Sequence, residues 1–158
     1  MEKKRHLAAA WMACVLWMAF IFAMSAAPGD VSGEQSGLIT RLLAVFLPGG
    51  LRQNPALMAR LETFVRKGAH MMEYAVLLCL YRHALRLSGV RHAGLCALAL
   101  CVGYAATDEI HQAFVPDRGP GVVDVLIDGC GALLGWAVVS AVERVTRSYQ
   151  RRSGQDGE

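Results

Sequence analysis

The apolar residues of this chain are gathered into four long blocks, and that grouping restricts the fold more than any single residue does. Leu7 to Ala27 is interrupted only by Ser25, and further stretches run over Ala69 to Leu87, Ala93 to Phe114 and Val122 to Val142, with their polar residues mostly near the ends. Each block is close to the roughly 20 residues that a helix needs to cross the hydrocarbon of a bilayer. With 54% hydrophobic residues against 18% charged and a mean hydropathy of +0.35, the chain is too apolar for an ordinary soluble domain. The expectation is an all-α integral membrane protein. It has four transmembrane helices, over about residues 7–27, 69–87, 93–114 and 122–142, within a single domain of 158 residues.

Other classes fall away on composition. The net charge of +3 is not concentrated in a basic run interleaved with aromatics, so nucleic acid is not an expected partner. Cys14, Cys79, Cys96, Cys101 and Cys130 all lie inside the apolar blocks without Cys-x-x-Cys spacing, and they read as small buried hydrophobes. There is no Gly-rich phosphate loop and no serine nucleophile elbow. Trp11, Trp17 and Trp136 read as packing or interfacial residues.

The first block follows a basic start, as in a secretory signal peptide with Ser25-Ala26-Ala27 before the cut. Its length exceeds an ordinary signal-peptide core and Pro28 would follow the cut, so a retained helix is expected. Between the first two spans, Ser25, Pro28, Ser32 and Ser36 read as turn and cap residues. Leu38, Ile39, Leu42, Leu43, Phe46 and Leu47 then form a stripe with Arg41 off it, which predicts a short interfacial helix ended by Pro48-Gly49-Gly50. Asn54-Pro55 has the form of an N-cap followed by a first helical residue. The tail from Glu143 is polar and basic, and partial disorder is expected there. Four spans with both ends on one side put ten of the sixteen lysines and arginines on that side, so both termini are expected in the cytoplasm, across a bacterial cytoplasmic membrane.

That topology sends the start of the second span, the end of the third and the start of the fourth to the outer face. Each carries a polar stripe: Lys67, His70 and Tyr74 with Glu73 beside them; Tyr104, Asp108, His111 and Gln112; and Asp124 and Asp128, continued by Gly131 and Gly135. Ionisable groups at a spanning helix are costly unless they face protein or water, so the stripes mark a functional site. Gly131-x-x-x-Gly135 lies on the same face as the two aspartates, which favours close packing of that helix within the chain over dimerisation.

The same residues carry a resemblance. Lys67-x-x-His70-x-x-x-Tyr74, Asp108-Glu109-x-x-Gln112-x-Phe114-x-Pro116-x-Arg118 and Asp124-x-x-x-Asp128-x-x-Gly131 are similar to the motifs of VanZ-like membrane proteins. The early Ser25-x-x-Pro28-x-x-x-Ser32-x-x-x-Ser36 pattern resembles that family too, over roughly Leu7 to Val142. Asp128 stands where many members have Asn. The resemblance implies a small bacterial multi-pass membrane protein, and its name-giving member is associated with reduced sensitivity to teicoplanin-type glycopeptides.

The expected site joins His70, Asp108 and Glu109, as candidate proton carriers, to Lys67, Glu73, Tyr74, Gln112, Arg118, Asp124 and Asp128, as candidate ligand-binding residues. An imidazole near neutrality can give or take a proton, and Arg118 and Lys67 could meet a phosphate or carboxylate. Each has a plainer alternative: His70 as a structural hydrogen-bonder, and the two cations as anchors or counter-charges for the acids. The four acids on the last two spans suit a hard divalent cation or a closed polar network, and no metal ligand set and no cofactor is assigned. The expected ligand is an envelope lipid or lipid-linked precursor. Binding or reorganising it, modifying its headgroup as a hydrolase or transferase, and translocating ions or lipid all remain open, as does homo-oligomerisation.

Overall fold

The computed structural model describes residues 1–27, 29–116 and 121–155, with side chains outside 29–35 and 151–155. Its elements are six helices: α1 (Glu2–Ser25), α2 (Gly29–Ala44), α3 (Gly49–Arg52), α4 (Pro55–Leu87), α5 (Ala93–Gln112) and α6 (Val122–Gln155). The described residues contain no strand. The architecture is therefore all-α.

The second apolar block is the end of a much longer helix. Asn54 caps α4, its side chain accepting hydrogen bonds from the Ala56 and Leu57 amides at 3.1 and 3.2 Å, with Pro55 pre-set for the first turn. The helix then runs through Gly68 without a break, so it begins at Pro55 and not at about Ala69. A single interior glycine costs only about 1 kcal/mol, which packing over this length offsets. At the other end Gly89 takes φ +78°. The amides of Gly89 and Val90 donate back to Arg86 and Leu85 at 3.0 Å each, a Schellman closure.

α4 is the axis of the molecule. It packs against α1, α2, α5 and α6, burying Tyr74, Leu77, Leu78, Tyr81, Ala84 and Leu85 at helical spacing. α1 contributes Cys14 and Ile21 to this core, and α5 contributes Ala93, Ala97, Cys101 and Ala105, a file of small residues four apart that lets the helices approach. α6 approaches closest. A Cβ at Gly131 would overlap the backbone of Met71, and one at Gly135 would overlap the backbone of Ala75. The G-x-x-x-G pair thus packs within the chain, as its alignment with the aspartates predicts.

The outside is apolar. Met12, Leu16 and Phe20 of α1, Leu95 and Ile110 of α5, and Leu126, Leu133 and Val138 of α6 are all exposed, as lipid-facing surfaces are. By length and composition α1, α5 and the Val122–Gln150 part of α6 can each cross a membrane. The molecule is a multi-pass membrane protein with three such helices among the described residues, and α4, the more polar interior helix, is outside that set.

Two local expectations change. Ser36 lies inside α2, whose helix starts well before the apolar stripe that revealed it; Ser32 is also within α2, with its side chain outside the described residues, as Pro28 is altogether. Ser36, Thr40 and Ala44 are buried, while Leu38, Ile39, Leu42 and Leu43 face outward, so the stripe is directed away from the protein. The tail from Glu143 continues α6 as helix to Gln155. Extending an existing helix needs no new nucleus, and Glu143 itself is anchored to α4 by Arg82 at 2.8 and 2.9 Å and by Arg86.

Candidate functional site

The polar stripes meet at one end of the bundle, joined by a helix that the sequence left out of the site. Ser25, the last residue of α1, is fully buried, and its hydroxyl donates to Asp108 Oδ2 at 2.7 Å. Gln112, one turn after Asp108 on α5, donates through Nε2 to the same carboxylate oxygen at 3.0 Å and to the Ser25 hydroxyl at 3.2 Å. Two donors thus fix one oxygen of a buried carboxylate. The other oxygen, Asp108 Oδ1, is buried without a partner among the described residues.

α4 supplies the facing wall. Tyr74 is completely buried, its ring centroid 6.3 Å from that of Tyr104, and its hydroxyl has no partner among the described residues. Tyr104 donates instead to the backbone oxygen of Met18 at 2.7 Å, which ties α5 to α1. His70 Nδ1 stands 3.3 Å from Glu73 Oε2, close enough for charge attraction. The contact lacks hydrogen-bond geometry, so both atoms keep unused capacity. The Glu73 backbone oxygen accepts from Trp17 Nε1 at 2.9 Å, fixing α1 beside it.

α6 closes the arrangement. Lys67 Nζ donates to Asp124 Oδ1 at 2.5 Å, a pair that is partly open to solvent. Asp128, one turn deeper, is buried, within electrostatic reach of His70 and Asp108. Glu109 accepts from the Gly121 amide at 2.8 Å and so holds the entry of α6 against the end of α5. A Cβ at Gly121 would meet Asp124 Oδ2 at 2.8 Å, so the turn into α6 is close-packed.

The structure therefore brings together Lys67, His70, Glu73, Tyr74, Asp108, Glu109, Gln112, Asp124 and Asp128. Arg118 lies outside the described residues. Lys67 is paired with the Asp124 carboxylate. His111 sits beside the group, its ring stacked on Phe22 at 4.3 Å. No three His, Cys, Asp or Glu side chains among the described residues are grouped to hold a metal ion.

Ser25 and Trp17 are the residues that sequence reasoning missed. Ser25 had a signal available, as the one polar residue in the first apolar block, and the structure places it on the same buried helix face as Cys14 and Ile21.

Beyond geometry, the VanZ/LLP1 family model matches residues 10–143, most of the chain and every residue of the site. The chain belongs to the VanZ/LLP1 family. No curated protein and no solved structure matches it. The match to this VanZ/LLP1 protein begins within α1 and runs through α4 and α5 into α6, so it covers all four long helices.

Proposed function

We propose that this VanZ/LLP1 protein is a four-span component of the bacterial cytoplasmic membrane, with both termini in the cytoplasm. Its polar site at the outer face binds the headgroup of an envelope lipid or lipid-linked precursor and thereby lowers sensitivity to teicoplanin-type glycopeptides. The fourth span is the Ala69 to Leu87 part of α4. Its packed face, from Tyr74 to Leu85, is covered by the other long helices, so Tyr74 and Arg82 on it do not have to face lipid.

The observation that carries the binding reading is the unused hydrogen-bonding capacity at the centre of the site. Asp108 Oδ1 and the Tyr74 hydroxyl are buried without partners among the described residues, and His70 Nδ1 and Glu73 Oε2 are buried without a hydrogen bond, facing each other at 3.3 Å. Each such group costs about 1–3 kcal/mol, and a ligand or ordered water that meets them removes that cost. Three of the four are oxygens on acids or a phenol, so the site favours hydroxyl- or ammonium-bearing headgroups over a bare phosphate.

Native mass spectrometry from bilayer-like particles tests this. The parent should retain an envelope lipid that Asp108→Asn and Tyr74→Phe both release. Retention unchanged in both variants, or no retained lipid at all, removes the reading. A catalytic role is favoured by one contact, the His70–Glu73 pair, which can orient an imidazole for proton transfer. Labelled envelope lipids incubated with the purified protein should then give a product that His70→Ala abolishes.

A further inference from the structure

At the opposite end of the bundle from Asp108, the helices leave an open cleft of about 380 Å³. Arg82 and Arg86 reach it from the end of α4, Arg91 and His92 from the connection into α5, Gly94 from the first turn of α5, and Trp136 from α6. Arg82 and Arg86 both donate to the Glu143 carboxylate, so one negative charge answers two guanidinium groups. Arg91 adds a further cation, and no acid among the described residues lines the cleft. Positive charge is therefore in excess.

The start of α5 adds donors to that charge. Its N-cap, His92, makes no side-chain capping bond, and its first turn holds no acid. The opening amides consequently lack a helical or capping partner and carry the positive end of the helix dipole. A Cβ at Gly94 would lie 3.1 Å from the Trp136 indole. The absence of one lets the ring close the floor of the cleft beside those amides.

We propose that this cleft binds a phosphate group, with Arg86 and Arg91 as counter-charges and the first turn of α5 as backbone donor. Guanidinium forks and helix N-termini both match phosphate oxygens. Basic pockets between spanning helices are also where anionic lipid headgroups lodge. The cleft shares no residue with the Asp108 site and does not depend on its ligand.

The phosphate can come from an anionic phospholipid or from solution, and one experiment separates the two. The protein is taken into bilayer-like particles of equal phosphatidylglycerol and phosphatidylcholine, and retained lipid is counted by native mass spectrometry. Phosphatidylglycerol retention should fall about ten-fold in Arg86→Gln/Arg91→Gln, and part-way in Arg91→Gln alone, which touches no structural contact of Glu143. Arg144→Gln/Arg147→Gln, which removes the same charge elsewhere, should behave as the parent. Equal losses in both double variants, or no loss in either, overturn the proposal. In phosphatidylcholine alone, inorganic phosphate forming an adduct that the cleft variant loses assigns a soluble phosphate. Retained phosphatidylglycerol without such an adduct assigns the lipid, and the absence of both overturns the site.

Discussion

Asp108 Oδ2 and the Tyr74 hydroxyl are both buried, the first held by two donors and the second without a partner among the described residues, and that difference predicts opposite responses to substitution. Ser25→Ala removes one of two donors to Asp108 Oδ2 and should lower stability by about 1–2 kcal/mol. Tyr74→Phe removes a hydroxyl without a protein partner among the described residues and should raise the stability of the apo protein by about 1 kcal/mol. Thermal unfolding in bilayer-like particles measures both, and an equal loss in the two variants would show the Tyr74 hydroxyl to be in use. The site was legible in the sequence wherever a polar residue interrupts lipid-length apolar sequence, because only function or pairing tolerates that cost. Asp108, Gln112 and Asp128 are of this kind. Ser25 also interrupts its block, but a serine at a helix end three residues before a proline has the same appearance as a turn residue. The Lys67–Asp124 pairing was also hidden, because two residues on different helices give no local pattern.

At the scale of helices, backbone approach decides which residues are irreplaceable. Gly135→Leu drives a side chain into the backbone of Ala75 and should cost about 1–3 kcal/mol or more, whereas Gly129→Ala on the same helix meets only Val102 Cγ2 at 3.9 Å and should be nearly neutral. Gly89→Ala places a Cβ at φ +78° and should cost about 1 kcal/mol through strain at the end of α4. Denaturation of the three variants under one condition gives the ranking directly. The apolar blocks predicted which segments are helical, since lipid-length runs have few other solutions. They did not predict the extent of α4 or α6. The added turns are polar, and they hold their form from the capped Asn54 start and from the Arg82–Glu143 clasp. Hydropathy does not record either device.

For the whole molecule, the paired cations and acids lie at the two ends of one bundle, and its orientation is open to a direct check. Reporter fusions after residue 155 should be active in the cytoplasm, and fusions in the α2–α3 connection should be active outside; the same side for both removes the four-span reading. The central place of α4 also bears on how such a chain enters the membrane. α1 is apolar enough to leave the translocon alone, but α4 carries His70, Glu73, Arg82 and Arg86 and lies outside the set of helices that qualify by hydropathy. On the four-span reading its insertion is therefore a deferred event, completed when the small-residue file of α5 and the glycines of α6 emerge to cover it. A nascent chain truncated after residue 90 should leave α4 open to added protease, and one extended through residue 150 should protect it. Membrane entry would then proceed by partner-assisted assembly late in synthesis, with a quality-control window for each molecule between the making of α4 and the making of α6.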